Sequence, residues 1–202
     1  MKTANAHPTQ YSAPHKWLHW IIAFCVILLI PVGIAMSQVP EGPVQNGMYN
    51  MHRSFGILVF VLALARVAVR LTYGAPSPYA GLTRFERIAS NAVHHMLYVL
   101  IVLTPLLGWS WMSTYRVEEV TIFGLFNLPP ILPQSDSAAA FFEAAHRFCG
   151  LLMAALLFAH AGGAFMHAFV KRDGVLHRML PQAWAPALSR LQALLGQPNR
   201  SA

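Results

Sequence analysis

Four long apolar segments restrict what this chain can fold into. A helix needs about 20 mostly apolar residues to cross a hydrocarbon core about 30 Å thick. Four stretches meet this length, at about positions 17–37, 51–71, 88–113 and 139–171. The basic residues inside the second stretch, Arg53 and Arg66, lie near its ends, where long side chains can reach the lipid headgroups. The sequence therefore predicts an all-α integral membrane protein built as a four-helix bundle.

The overall composition agrees with a membrane protein. Hydrophobic residues make up 56% of the chain and charged residues only 10%, whereas soluble domains carry about 25% charged residues. The net charge of +7 is compatible with nucleic-acid binding, but the 14 lysines and arginines form no continuous run or helical stripe. We therefore expect a basic surface beside membrane lipid and no nucleic-acid partner.

The distribution of basic residues predicts the orientation in the membrane. The side reached by the first and third helices holds Arg53, Arg116 and Arg147. The opposite side holds the remaining eleven: Lys2, Lys16, Arg66, Arg70, Arg84, Arg87, Lys171, Arg172, Arg178, Arg190 and Arg200. Because cytoplasmic loops are enriched in lysine and arginine, we expect both termini in the cytoplasm. The first apolar run is too long for the core of a signal peptide, so we expect it to remain as an anchor.

Three regions are expected along the chain: a cytoplasmic arm at 1–14, the four-helix membrane domain at 15–181 and a cytoplasmic tail at 182–202. The outer connection, 114–138, has an apolar middle that we expect against the membrane or over the mouth of the bundle. Residues 181–195 could form a short amphipathic helix on the inner surface.

Four histidines form pairs at two predicted depths. His19 lies near the inner end of the first span and His52 near the outer start of the second. In the fourth span, His160 follows His146 by 14 residues, which places it about 21 Å deeper on nearly the same helix face. His52 is therefore predicted at the same membrane depth as His146, and His19 at the same depth as His160. Ionisable groups at such depth are costly and indicate a function.

Two histidines at each level favour a haem over other metal sites. A tetrahedral zinc site needs three or four protein ligands, and a di-iron bundle needs glutamates facing the core. A haem iron already has four porphyrin nitrogens, so two imidazoles complete its coordination. The chain has no CxxCH motif for covalent attachment. We therefore expect two b haems, the alternative being hydrogen-bonded core histidines or a proton relay.

Further basic residues and histidines lie near these pairs. Arg53 and Arg147 directly follow the outer ligand candidates, and Lys16, Arg66 and Arg70 lie at the inner level. These side chains could pair with haem propionates or act only as interface anchors.

His94 and His167 are candidates for a quinone or proton site. Of His94 and its neighbour His95, only one can face the bundle, and His94 could also rival His19 or His160 as a ligand. His167 lies at the inner surface, where it could protonate a quinone. We expect the other histidines to be solvated: His7, His15 and His177. Cys25 and Cys149 lie at different depths, so we expect no disulfide.

The arrangement of these motifs resembles the bacterial cytochrome b561 family, which is related to the cytochrome b subunits of hydrogenases and formate dehydrogenases. The similar pieces are Tyr11-Ser12 with Leu18-His19-Trp20, Met51-His52-Arg53-Ser54-Phe55-Gly56 with Arg66 and Arg70, His94 with Tyr98, Pro105 and Gly108, His146 with His160, and the stretch from His167 to Pro181. The resemblance covers about residues 11–181. Members often have a second histidine at the position of Ala168, so this chain departs from the family there.

The resemblance implies two b haems, with axial ligands at His52 and His146 outside and at His19 and His160 inside. It also implies a location in the bacterial inner membrane and electron transfer between a small carrier and a membrane quinone. Superoxide oxidation coupled to ubiquinone reduction is one activity of the family, which would make this chain an oxidoreductase of the superoxide:quinone type.

Three functions remain open from the sequence. The first is transmembrane electron transfer from a periplasmic donor to a quinone, in which Arg53, Arg116 and Arg147 would steer superoxide, as a candidate donor, to the outer haem. The second is a role as the cytochrome b membrane subunit of a larger dehydrogenase or hydrogenase. The third is a transporter that uses histidines as a proton relay. The sequence predicts no catalytic residue for any of them.

Overall fold

Four long helices dominate the structure, a computed structural model that describes residues 10–115 and 119–194. The helices are α1 (Ala13–Ala35), α2 (Pro43–Tyr73), α3 (Arg84–Thr114) and α4 (Asp136–Phe165). By length and composition, each is long and apolar enough to cross a membrane. The predicted four-helix membrane architecture is therefore confirmed.

The helix ends follow from local sequence signals. α1 begins after Ser12 with a proline in its first turn, where the missing amide proton has no cost. α3 begins with a capping box: the Thr83 hydroxyl accepts from the Glu86 amide, and the Glu86 carboxylate accepts from the Thr83 amide. At the start of α4, the Ser135 hydroxyl accepts from the Ala138 amide at 3.3 Å.

The helices pack in chain order. α1 contacts α2, α2 contacts α3, α3 contacts α4, and α4 also contacts α1. The buried core between them consists of Ile22, Cys25, Val26, Val59, Leu100, Cys149 and Met153. Both cysteines are free and buried, so the expectation of no disulfide is confirmed. Large apolar side chains such as Phe24 and Phe158 are exposed on the outside of the bundle, as expected of a surface that faces lipid tails.

We call the end that holds His52 and His146 the outer end and the opposite end the inner end. At the outer end, β1 (Thr121–Ile122) pairs antiparallel with β2 (Phe126–Asn127). The turn uses two residues with positive φ, Phe123 and Gly124. The Phe123 amide donates to the Ser54 hydroxyl at 2.9 Å, so this hairpin lies against the start of α2.

At the inner end, α4 continues as a π-helical segment, Met166–Lys171, and the chain then turns through Arg172, whose φ is 52°. Two 3-10 turns, Leu176–Arg178 and Gln182–Trp184, lead into α5 (Ala185–Leu194). The short helix foreseen for 181–195 therefore consists of a 3-10 turn followed by α5, and its last position is outside the described residues.

α5 packs back on the end of the π-helical segment. Leu188 is buried against Ala168 and Leu180. The side-chain amide of Gln192 donates to the backbone carbonyl of Ala168 at 2.7 Å. Because carbonyl groups at a helix end have no partner within the helix, this bond satisfies one of them.

Candidate cofactor site

The outer end brings together one imidazole from α2 and one from α4. The ring centres of His52 and His146 are 6.1 Å apart, and the ring planes are inclined at 79°. Nδ1 of His146 lies 2.8 Å from the Thr104 carbonyl oxygen. Since a carbonyl oxygen only accepts, this nitrogen must be the donor. Nε2 is therefore left with a free lone pair, as a metal ligand requires.

Two glycines make room for the outer histidines. A Cβ atom on Gly33 would lie 2.9 Å from Cε1 of His52, and a Cβ atom on Gly108 would lie 3.0 Å from Cε1 of His146. Both distances are shorter than ordinary carbon–carbon contacts, which are about 3.5–4.0 Å. The backbones of α1 and α3 therefore approach the two rings at points where only glycine fits without a shift.

The inner end brings together three imidazoles from three helices. The ring centres of His19 and His160 are 6.0 Å apart, with the planes at 85°. His94 on α3 is nearer to His160, at 5.0 Å. Its neighbour His95 is exposed and hydrogen-bonds the Asn91 carbonyl at 2.7 Å. Both side chains are exposed, and His94 is the one whose ring contacts His160 inside the bundle.

The distance between ring centres separates the pairs His52–His146 and His19–His160 from the pair His94–His160. An imidazole nitrogen binds a metal at about 2 Å, so two nitrogens on opposite sides of one metal are about 4 Å apart. Each ring centre lies about 1 Å farther back, which gives a separation of about 6 Å. The pairs His52–His146 and His19–His160 match this value at 6.1 and 6.0 Å, whereas His94 and His160 are closer, at 5.0 Å.

The predicted basic residues have different surroundings. Nε of Arg66 donates to the Tyr98 hydroxyl at 3.3 Å, and its guanidinium lies 5.2 Å from the centre of that ring. Arg53 lies 5.3 Å from the ring centre of Tyr49. Arg147 is 69% exposed and pairs with Glu143 at 3.7 Å, a kind of surface ion pair that contributes little to stability. Arg116 lies outside the described residues.

His167 is buried in the π-helical segment, and its Nδ1 lies 2.5 Å from Oδ2 of Asp173. The sequence analysis missed Asp173. The two residues are six positions apart, and they meet because the chain reverses at Arg172 with a positive φ. The sequence does show an acidic residue soon after the last span. It does not show that the chain reverses direction at Arg172 and brings this residue back to His167.

The expectation that His15 is solvated is wrong. His15 is only 2% exposed. Its ring contacts the rings of Tyr11 and Tyr73, with centres 5.5 and 6.4 Å away, and its Nδ1 is 2.9 Å from the Ser12 hydroxyl. His177 is half-buried, and His7 lies outside the described residues. Lys16 is also buried, and it donates to the Gln10 side chain at 2.9 Å.

A cavity of about 460 Å³ opens at the outer end of the bundle. It lies between the start of α2 and the hairpin, and its lining includes Met51, Ser54, Phe55, Glu119 and Phe123. The hairpin therefore covers only part of the outer end.

Comparison with known proteins identifies the family. A family model described as prokaryotic cytochrome b561 matches residues 10–182. The chain belongs to the prokaryotic cytochrome b561 family. Similar proteins are cytochrome b561 homolog 1 of Escherichia coli strain K12, 28% identical over 86% of this chain and 98% of the relative, and homolog 2 of the same strain, 28% identical over 86% and 92%. A Yersinia pestis protein named "Probable superoxide oxidase CybB" is 25% identical over 86% of this chain and 97% of its own length.

Membership of the cytochrome b561 family implies a membrane cytochrome that binds b-type haem and transfers electrons. The residues present fit such a group. Within the described residues, no set of three or more His, Cys, Asp or Glu side chains is placed to hold a metal ion. Pairs of imidazoles about 6 Å apart suit a metal that brings its other ligands with it, as haem iron does. The hydrogen bond from Nδ1 of His146 to the Thr104 carbonyl agrees with this, because it leaves Nε2 free to bind a metal.

Proposed function

We propose that this chain transfers electrons across the bacterial inner membrane, from a periplasmic donor to a membrane quinone, through two bis-histidine b haems. The observation that supports this most directly is the pair of matched ring separations, 6.1 and 6.0 Å, at opposite ends of one bundle. When bound, the haems would supply two one-electron centres at different membrane depths.

Four side chains would hold these groups. His52 and His146 would bind the haem iron at the outer end, and the Thr104 carbonyl would keep the His146 ring in the tautomer that leaves Nε2 free for it. His19 and His160 would be the inner ligands, because their separation suits a shared metal better than the 5.0 Å between His94 and His160. Arg66 would offer its remaining N–H groups to a propionate at the inner level.

Proton delivery to the quinone would occur at the inner end. Reduction of a quinone to a quinol consumes two electrons and two protons. His94 and His167 are the candidate proton donors, and we favour His167 because Asp173 at 2.5 Å can orient its ring and stabilise its protonated form. His94, which lies against His160, would line the quinone pocket.

Superoxide is the donor that we propose at the outer end. Oxidation of two superoxide anions to dioxygen releases the two electrons that one quinone accepts. The name of the Yersinia relative supports this choice, and Arg53, Arg116 and Arg147 would attract the anion to the outer end. Arg147 is well placed for this because its side chain is exposed beside His146.

The proposed orientation has both termini in the cytoplasm, because eleven of the 14 basic residues lie on the inner side. In that orientation α5 would rest on the cytoplasmic surface of the membrane. The exposed apolar side chains Leu191 and Leu194 on α5, and Trp184 in the turn before it, support such a position.

The haem content of the purified protein tests the proposal. We expect a b-type absorption spectrum that changes on reduction, and two non-covalent haems per chain by pyridine haemochrome assay. Reduction of the protein by superoxide, followed by quinol formation, should be observable in a detergent solution that contains ubiquinone. A folded, membrane-extracted preparation with one haem or none would refute the two-haem mechanism.

A further inference from the structure

His15 is a buried histidine with one ring nitrogen that has no partner. It precedes His19 by one helical turn, so the two rings lie on the same side of α1. Nδ1 of His15 is 2.9 Å from the Ser12 hydroxyl. Nε2 is buried and makes no hydrogen bond within the described part of the chain. Buried polar atoms in native structures almost always have a partner, so this nitrogen indicates a ligand.

Two arginines lie on the end of α2 whose Tyr73 ring contacts His15 at 6.4 Å. Arg66 and Arg70 are one turn apart on α2, half-buried, and within electrostatic range of His15. Arg66 is also within range of His19 and His160. No carboxylate pairs with either arginine among the described residues, whose ion pairs are Arg147–Glu143, His167–Asp173 and Lys171–Glu86. Partly buried cations without an acidic partner favour an anion as the ligand.

We propose that His15, Arg66 and Arg70 form a carboxylate-binding site that holds a propionate of the inner haem. The proposal rests on the function proposed above. In this site the Ser12 hydroxyl donates to Nδ1 of His15, and the Nε2–H group donates to the carboxylate. The two arginines supply the compensating charge.

The position of His15 suits a propionate. The ring lies about 6 Å from the level of His19 toward the inner surface, at a rise of 1.5 Å per residue over four residues. Charged groups in a membrane protein are directed to the nearer aqueous surface, so the propionates of a haem held by His19 would be expected on the side where His15 lies. Lys16 follows His15 directly, and its ammonium group donates to the Gln10 side chain at 2.9 Å.

The test uses the full-length haem-loaded protein with three variants. His15→Leu removes the donor, His15→Gln keeps an N–H donor at the same position, and His95→Leu alters an exposed histidine on α3 as the matched control. The measurements are the haem-to-protein ratio, the midpoint potential of each haem by redox titration, and the propionate bending bands in the resonance Raman spectrum.

We expect His15→Leu to retain both haems and to lower the midpoint potential of the inner haem, because an uncompensated carboxylate favours ferric iron. The propionate bands should shift, and the outer haem should not change. His15→Gln should restore part of the potential, and His95→Leu should match the wild type. If His15→Leu does not fold, Arg70→Gln must lower the inner potential in the same direction.

Unchanged inner potential and unchanged propionate bands in His15→Leu, with two haems present, would overturn this inference and leave the proposed function intact. A wild-type protein with fewer than two haems would instead overturn the proposed function. Loss of co-purified anionic lipid from His15→Leu, with the propionate bands unchanged, would assign the site to a lipid phosphate and refute the assignment to haem.

Discussion

The two ends of the bundle place their histidine pairs at nearly the same spacing but in different surroundings. At the outer end, His52 and His146 meet as an isolated pair with a glycine against each ring. At the inner end, His94 joins the pair His19–His160. His15, Arg66, Arg70 and the His167–Asp173 pair complete the inner set.

This difference teaches that spacing and surroundings have separate effects. The spacing decides what each pair can bind, because about 6 Å suits two imidazoles that share one metal. The surroundings decide what each end can do besides binding. The outer pair is surrounded by the Thr104 carbonyl and by the backbones at Gly33 and Gly108. These groups can orient the two rings but cannot donate or accept protons in a reaction. The inner pair has two arginines and the His167–Asp173 pair near it, which suit the anion binding and the proton transfer proposed above.

The largest expected effect comes from removing a proposed haem ligand on α4. This helix carries one such histidine at each end of the bundle. His146→Ala should remove the outer haem and His160→Ala the inner one, so each variant should keep half of the wild-type haem. Separate midpoint potentials would show which haem remains. His95→Ala, at an exposed position on α3, should keep both haems. The comparison would fail if neither ligand variant lost haem.

The next prediction separates the three inner imidazoles. His19→Ala should lose the inner haem, whereas His94→Ala should keep it, because only the His19–His160 separation suits a shared metal. Haem stoichiometry and the EPR spectrum of the ferric protein would measure this. If His94→Ala lost the haem and His19→Ala kept it, the ligand would be His94.

The acid beside His167 should affect turnover and leave haem binding unchanged. Asp173→Asn keeps the shape of the side chain but removes the charge that orients and supports the His167 imidazole. Quinone reduction should fall by about 100-fold, the lower limit of general acid–base contributions. Asp136→Asn, at the exposed start of α4, is the matched control and should retain full activity. Equal rates in the two variants would exclude Asp173 from proton delivery.

A single methyl group should be enough to disturb the outer end. In a helix interior, alanine is favoured over glycine by about 1 kcal/mol, so the control Gly47→Ala, at an exposed position near the start of α2, should be neutral or stabilising. Gly33→Ala should be destabilising, because the added Cβ atom would lie 2.9 Å from the His52 ring. We expect a lower thermal midpoint and weaker binding of the outer haem only. An outer haem bound normally in Gly33→Ala would show that the ring can move away.

The smallest effect is expected for the contact between α5 and the inner end. Gln192→Ala removes the hydrogen bond to the Ala168 carbonyl, which contributes about 1 kcal/mol. For a protein of this size the thermal midpoint should fall by about 2–4 °C. Gln182→Ala, at an exposed position in the preceding 3-10 turn, should leave it unchanged. Equal midpoints in both variants would mean that α5 does not stabilise the inner end.

Much of the architecture was predictable because membrane spans are determined by local composition. The four helices fall where apolar length required them, and errors occur at their ends. α2 begins at Pro43, eight residues before the predicted start at position 51. The extra turns contain Gln45, Asn46 and Asn50, whose polarity hides them from a hydropathy criterion although nothing in them prevents a helix.

The missed features of the site depend on contacts between distant residues. His15 precedes the apolar run and was therefore expected in solvent, but Tyr73 at the end of α2 lies over it. Sequence position places His94 and His19 at the same membrane depth. It cannot tell which of them is the better candidate ligand, because that choice depends on the distance of each ring from His160. Asp173 became visible only with the chain reversal at Arg172.

The π-helical segment after Phe165 sets the rotational phase of the chain just before it leaves the bundle. In an α-helix each residue turns the chain by about 100°, at 3.6 residues per turn, and a π-bulge absorbs one additional residue into that count. Deleting a single residue between Met166 and Lys171 would leave a helix long enough to span the bilayer while swinging His167 away from its acid. An insertion or deletion here, which would cost little in hydrophobic length, would thus separate the imidazole of His167 from the carboxylate of Asp173.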